Sequence, residues 1–175
     1  MDYHQYKKLK IKDKKYILKN KNIQKKIFII QVRLAHKFKL TLIVHNREAD
    51  LDILKLLNSN NLKISIPLLF HSFEGQKKIW QFAKNKENAY LGINGLLTYN
   101  DNLKNIIKSI PLAKIVLETD SPYLRPRIKE KVFSFPNTPK NVKIVARYLA
   151  KLKNTSLADV EKNSTKNAKK IFGIK

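Results

Sequence analysis

Short apolar runs alternate with amphipathic segments through the middle of the chain. Four runs are rich in residues that favour β-structure and are bounded by polar or turn-forming residues. They cover residues 40–44, 64–70, 89–98 and 113–117. Between them, apolar residues recur at intervals of three and four, which is typical of helices packed on a sheet. We therefore predict an α/β fold in which four parallel strands alternate with helices.

Helical patterns without strands occupy the two ends of the chain, and we predict a single domain over residues 1–175. Residues 3–26 carry ten lysines, and we expect them to form an exposed lead-in. After the last strand two further helices close the chain, the second one capped by Ser156 and ending near Gly173. A helix before the first strand is predicted by one apolar stripe, with His36 on the opposite, solvent-facing side: Ile23, Ile27, Ile30, Leu34 and Phe38.

Composition narrows the class of protein. No apolar run approaches the roughly 20 residues of a membrane helix, and the absence of cysteine excludes disulfides and thiolate metal sites. The first residues lack the apolar core of a secretory signal, so we expect a cytoplasmic location and no membrane association.

The net charge of +24 favours contact with phosphate backbones. Only five of the 37 basic residues are arginine, and this excess of lysine favours the alternative that the charge reflects an AT-rich genome.

Three of the predicted strands lead into side chains that bind metal ions in other proteins. His45 and His71 directly follow the first two apolar runs, and Asp120 follows the fourth. Parallel strands end at one edge of a sheet, so these side chains should share a rim. Imidazole and carboxylate groups suit a divalent cation such as Mg²⁺, Mn²⁺ or Zn²⁺. Each residue alone could be an ordinary loop histidine or turn aspartate, and the recurrence is what favours a metal site.

Five ordered segments of the chain resemble the TatD-type metal-dependent hydrolases. They are HNREAD at 45–50, HSFEG at 71–75, GINGLLTY at 92–99, LETDSPYLRP at 117–126 and NAKKIFG at 167–173. The resemblance implies the C-terminal part of a (β/α)8 TIM barrel. The activity it implies is hydrolysis of phosphodiester bonds in DNA with divalent metal ions, two of them in an intact family member.

The resemblance also implies roles for individual residues. His45 and His71 match the metal-binding histidines of the fifth and sixth barrel strands, and Asp120 matches the aspartate of the eighth strand, which binds metal and helps to activate water. Glu118 points to the same side as Asp120 but one layer further from the rim, so we expect it to support the neighbouring loop. Three arginines flank the rim and are candidates for binding substrate phosphate, with surface or cap roles as the alternative: Arg47, Arg125 and Arg127.

The chain resembles only the later part of the family pattern. The first four strands, a His-x-His pair and a metal-bridging glutamate would lie upstream of Met1, and MDYH at the start resembles the end of the fourth-strand motif. On this basis we interpret the chain as a truncated family member. We expect little or no metal-dependent cleavage by this chain alone, because half of the ligand set has no counterpart in it.

Two functions are compatible with these patterns. The first is a TatD-like hydrolase acting on DNA or another phosphodiester. The alternative is a non-catalytic, basic nucleic-acid-binding or vestigial protein that keeps the second half of the fold. The sequence leaves the metal, the exact substrate and the oligomeric state open.

Overall fold

A four-stranded parallel sheet forms the centre of the computed structural model, which describes residues 1–127 and 136–175. The strands lie side by side in chain order, each hydrogen-bonded to the next. They are β1 (Leu42–His45), β2 (Leu68–His71), β3 (Ala89–Ile93) and β4 (Ile115–Leu117). The predicted α/β fold with four parallel strands is therefore confirmed.

Helices precede, connect and follow these strands. The helices are α1 (His4–Lys8), α2 (Lys14–Lys37), α3 (Asp50–Leu57), α4 (Lys77–Lys84), α5 (Asp101–Ile107), α6 (Val142–Leu152) and α7 (Leu157–Phe172). Helices α3 to α5 join successive parallel strands, as the alternating pattern predicts, and α6 and α7 are the two predicted C-terminal helices. None of the helices in the described part of the chain combines the length and apolarity needed to cross a bilayer.

The third strand is shorter than the predicted run over residues 89–98. It ends at Ile93, because the side-chain oxygen of Asn94 accepts a hydrogen bond from the N–H of Leu96 and begins a 3-10 turn over Gly95–Thr98. The second half of the apolar run is thus a buried turn. A polar residue that caps a turn decides its structure more strongly than the apolar residues around it.

The lysine-rich beginning of the chain is helical, and most of residues 3–26 are exposed, as expected of the lead-in, with Tyr3 and Tyr6 as exceptions. Helix α2 begins at Lys14, because the Asp13 carboxylate accepts hydrogen bonds from two N–H groups of the first turn. Tyr3 and Tyr6 are buried in the main core. These two buried aromatic side chains hold the segment against the core. In the sequence, the ten lysines around them make this apolar contact hard to predict.

Helix α2 also packs with a different face from the predicted one. Its buried residues are Phe28, Val32 and Ala35. His36 is half-buried, not solvent-facing, and its Nε2 has no hydrogen-bond partner in the described part of the chain. The residues of the stripe that predicted the helix are 41–59% exposed: Ile23, Ile27, Ile30, Leu34 and Phe38. Two of them, Ile27 and Leu34, line a groove along β1.

Buried side chains form two groups on the two faces of the sheet. The larger group packs between the sheet and the surrounding helices. On the other face, Leu69, Tyr90 and Val116 make a smaller cluster, which Ile171 of α7 covers. The Thr41 hydroxyl donates a hydrogen bond to the carbonyl of Ile171, so the end of α7 is held next to the start of β1.

The limits of α7 agree with the sequence. The Ser156 hydroxyl oxygen accepts a hydrogen bond from the N–H of Asp159 at 3.0 Å, which caps the first turn. At the other end Gly173 adopts a left-handed backbone with φ of +64°, a conformation that favours glycine. Both predicted boundaries are confirmed.

Candidate metal centre

The carboxyl ends of the strands bring the three predicted ligands to one edge of the sheet. His45 and His71 are direct partners in the parallel register of β1 and β2. Their ring centroids are 6.2 Å apart. Asp120 lies in the turn that follows β4. All three side chains line one cleft of about 480 Å³.

Within this cleft, His71 and Asp120 approach one another closely. His71 Nε2 lies 3.3 Å from Asp120 Oδ1, and the two side chains are only 24% and 30% exposed. Such a separation is about that of two ligands sharing one ion with bonds near 2.1 Å. Asp120 has a backbone φ of +55°. Residues held in this unfavourable region concentrate at functional sites, because the surrounding structure has to impose them.

The imidazole of His71 is held from its other side by Glu118. Its Nδ1 lies 3.0 Å from Glu118 Oε2. This hydrogen bond raises the pKa of His71 above its ordinary value, although burial opposes the effect, and the nearby Asp120 carboxylate contributes in the same direction. The sequence predicted that Glu118 supports a neighbouring loop. It also accepts a hydrogen bond from the N–H of Ser72 at 2.7 Å, so it supports both that loop and the histidine.

His45 lies at the same rim but points to a different partner. Its side chain is 54% exposed, and its Nε2 is 3.5 Å from Asp2 Oδ2. Asp2 forms a short parallel bridge with Arg47, just beyond β1. The carboxylate of Asp2 was not singled out from the sequence. The resemblance of MDYH to the end of a strand motif was the signal that could have found it.

Two of the described side chains bring together donor atoms of the kind that bind metal ions. His71 Nε2 and Asp120 Oδ1 converge, and both atom types suit a divalent cation. Among residues 1–127 and 136–175, however, no three histidine, aspartate or glutamate side chains come together closely enough to hold an ion. The pair thus offers two suitable donor atoms, and His45, the third predicted ligand, lines the same cleft without joining them.

The three candidate arginines occupy different positions. Arg47 lines the cleft beside His45 and Glu74, and its charge lies near the Glu74 carboxyl, whose pKa is raised by burial. Arg127 instead stacks on the ring of Tyr99, with its guanidinium carbon 4.2 Å from the ring centroid. Arg125 is half-buried, and neither it nor Arg127 is among the residues that line the cleft in the described structure.

Gly95 and Asn137 fix the turn that carries Asp120. Gly95 leaves room for this segment, since a Cβ there would stand 2.1 Å from the carbonyl oxygen of Leu124. Asn137 is buried, and its side-chain amide donates hydrogen bonds to the carbonyls of Thr119 and Tyr123 at 2.9 and 2.6 Å. The turn is therefore held in place by close packing at Gly95 and by the hydrogen bonds of Asn137.

Comparisons with known proteins agree with this architecture. The sequence model of the family "TatD related DNase" matches residues 10–173. The chain is 32% identical over 157 residues to the uncharacterised metal-dependent hydrolase YabD of Bacillus subtilis, covering 88% of this chain and 59% of that protein. It is 30% identical over 152 residues to the human deoxyribonuclease TATDN3, covering 87% of this chain and 52% of that protein.

A solved structure shares the fold. The crystal structure of a TatD family hydrolase from Entamoeba histolytica superimposes with a TM-score of 0.75 at 21% identity, covering 97% of this chain and 61% of that one. The four strands and their helices thus correspond to part of a TIM-barrel-like fold. The chain spans between one half and three fifths of the length of these relatives.

Proposed function

Because the chain belongs to the TatD related DNase family, we propose that it is a metal-dependent hydrolase that acts on phosphodiester bonds of nucleic acid. The naming of relatives as deoxyribonucleases favours DNA as the substrate. The positively charged composition fits a polyanionic substrate as well. The relatives that are named as deoxyribonucleases are longer than this chain, which covers 52% of the human protein.

One observation carries the proposal. His71 Nε2 and Asp120 Oδ1 lie 3.3 Å apart at the carboxyl rim of a parallel sheet, the edge where such folds carry out chemistry. The imidazole is oriented by a carboxylate on its other nitrogen, which is the usual arrangement of a metal-binding histidine. A structural ion pair alone would not require this arrangement at the end of a strand.

In this proposal, His71 Nε2 and the carboxylate of Asp120 would hold a divalent cation, with His45 lining the same cleft. A cation bound there would polarise the phosphate and lower the pKa of a bound water. The Asp120 carboxylate would be the group in the cleft that accepts a proton from the attacking water. Arg47, exposed at the same cleft, can form hydrogen bonds to phosphate oxygens.

A cleavage assay tests this function. Labelled single-stranded and duplex DNA is incubated with the chain and Mg²⁺, Mn²⁺ or Zn²⁺, alongside the His71→Ala and Asp120→Asn variants. We expect slow cleavage at most, because only two ligands converge in the described residues. Whatever cleavage occurs should require added metal and should disappear in both variants.

Asp101→Asn is the matched control, since Asp101 is exposed at the start of α5 and outside the cleft. This variant should keep the wild-type rate. Metal-dependent cleavage that survives both His71→Ala and Asp120→Asn would contradict the proposal. DNA binding that is insensitive to metal and to both substitutions would instead support a non-catalytic role.

A further inference from the structure

We propose that Glu118 is a positioning residue that fixes the tautomer of His71, so that Nε2 presents a lone pair to the cleft. This inference rests on the proposed function only in taking His71 Nε2 as a metal ligand. The contacts of each carboxylate oxygen of Glu118 support it independently.

The first oxygen determines where the imidazole proton sits. Glu118 Oε2 lies 3.0 Å from His71 Nδ1. An ionised carboxylate can only accept hydrogen bonds, and the Glu118 oxygen lies closer to Nδ1 than the Asp120 oxygen, at 3.3 Å, lies to Nε2. A neutral His71 ring, which carries one proton, therefore donates it from Nδ1 to Glu118. Its Nε2 is then unprotonated and faces Asp120 at 3.3 Å. The ring is held in the form that can bind a metal ion.

The second oxygen prevents the carboxylate from turning. Glu118 Oε1 accepts hydrogen bonds from the Ser72 N–H at 2.7 Å and from Asn94 Nδ2 at 3.3 Å. Asn94 is buried, and its Nδ2 also donates to the Ser72 hydroxyl at 2.9 Å. Both donors are therefore themselves fixed, and the side chain of Glu118 is only 18% exposed.

A glycine makes the space for this carboxylate. A Cβ added at Gly92 would stand 2.6 Å from Glu118 Oε2 and 2.9 Å from Oε1. Gly92 lies in β3, paired with Val116 of β4. Any larger residue there would displace the carboxylate from His71, because the far end of the glutamate side chain is the part that can move.

The two sets of contacts predict an unusual effect of Glu118→Gln. In this isosteric variant the amide oxygen has to occupy the Oε1 position, because two donors point at it. The amide NH₂ group then faces His71 Nδ1. That nitrogen becomes an acceptor, the proton moves to Nε2, and the lone pair offered to the cleft is lost.

The test is ¹⁵N NMR of histidine side chains in the metal-free chain, at a pH where the His71 ring is neutral. We expect the Nδ1–H tautomer in the wild type and the Nε2–H tautomer in Glu118→Gln. Gly92→Ala should lose the Nδ1–H preference through the displaced carboxylate. Glu74→Gln is the matched control, since Glu74 lines the same cleft without being among the partners given for the His71 ring in the described structure.

Mn²⁺ titration of the same proteins provides a second readout. The dissociation constant should rise about 10- to 100-fold in Glu118→Gln, with little change in the melting temperature of the metal-free chain. An unchanged tautomer, or an unchanged Mn²⁺ affinity despite a changed tautomer, would overturn the inference. If the wild type binds no Mn²⁺, the proposed function fails, whereas the tautomer measurement still decides the role of Glu118.

Discussion

The two sides of the rim differ in how firmly their side chains are held. On the side of β2 to β4, His71, Glu118 and Asp120 are at least two-thirds shielded from solvent, and the two ring nitrogens of His71 lie 3.0 and 3.3 Å from carboxylate oxygens. On the side of β1, His45 is 54% exposed and has Asp2 as a neighbour at 3.5 Å. The first side is thus organised by close contacts within the chain, and the second is not.

The two sides also differ in how well the strands that lead to the rim are covered by other parts of the chain. The inner face of the sheet at β2, β3 and β4 is covered by the end of α7. Ile43 of β1, on the same face as His45, is 56% exposed, and it lines a groove with Ile27 and Leu34 of α2. Precise placement of a functional group requires packed neighbours, so we attribute the difference between His71 and His45 to the coverage of their strands.

The largest expected effect concerns packing under the two sides. Leu69→Ala in β2, the register partner of Ile43, removes a side chain that is 4% exposed and should lower the free energy of unfolding by about 2–5 kcal/mol. Ile43→Ala in β1 removes one that is 56% exposed and should cost less than about 1 kcal/mol. Urea denaturation measures both. Equal losses would mean that the β1 side is as well packed as the rest.

The next effect concerns metal affinity. His71→Ala should weaken Mn²⁺ binding by at least about tenfold, or 1.4 kcal/mol, because it removes the oriented ligand. His45→Ala should have a smaller effect, since its imidazole is exposed and lies outside the converged pair. Isothermal titration calorimetry compares the two. A larger loss in His45→Ala would reverse the contrast drawn between the two sides.

A smaller, pH-dependent effect on stability is expected for Asp52 of α3, which connects α3 to α2 and to the start of the chain. Its carboxylate pairs with Lys25 of α2 at 2.9 Å and accepts a hydrogen bond from the Tyr3 hydroxyl at 2.8 Å. Burial alone would raise the pKa of Asp52, but these hydrogen bonds bring it below its ordinary value.

A depressed folded pKa means that this stabilisation is present above the unfolded pKa of about 3.9 and is lost as the pH falls through the folded value. Asp52→Asn should therefore cost about 1 kcal/mol at neutral pH and progressively less below pH 4. Thermal melts between pH 3 and 7 measure it. A loss that is the same at every pH would show that charge is not involved.

The smallest effect is expected on the exposed stripe of α2. Leu34→Gln changes a residue that is 41% exposed and should alter the free energy of unfolding by less than about 0.5 kcal/mol. Val32→Gln, on the buried face of the same helix, is the matched comparison and should destabilise the chain severely. Comparable losses in the two variants would mean that the stripe is packed after all.

The sequence predicted the parts of the structure that depend on local pattern. Apolar runs followed by His45, His71 and Asp120 were enough to predict parallel strands ending at one rim. The capping residues Ser156 and Gly173 marked the limits of α7. These signals are local, because strand burial and helix caps act over a few residues.

The remaining features depend on contacts between distant residues. The apolar stripe of α2 predicted the helix but not the face that packs, because Phe28 and Val32 are buried by elements elsewhere in the chain. The pairing of Glu118 with His71 joins residues 47 positions apart. Gly92 has its role only because β3 lies beside β4, and no local pattern indicates that relation.

Whether His71 and Asp120 hold a metal ion together can be tested directly in a crystal of the chain soaked in Mn²⁺, with anomalous scattering used to locate the ion. We predict an anomalous peak within about 2.3 Å of both His71 Nε2 and an oxygen of Asp120, with Glu118 still on Nδ1. A peak bound elsewhere, such as between His45 and Asp2, would contradict the claim. So would the same His71 and Asp120 geometry without an ion at saturating Mn²⁺.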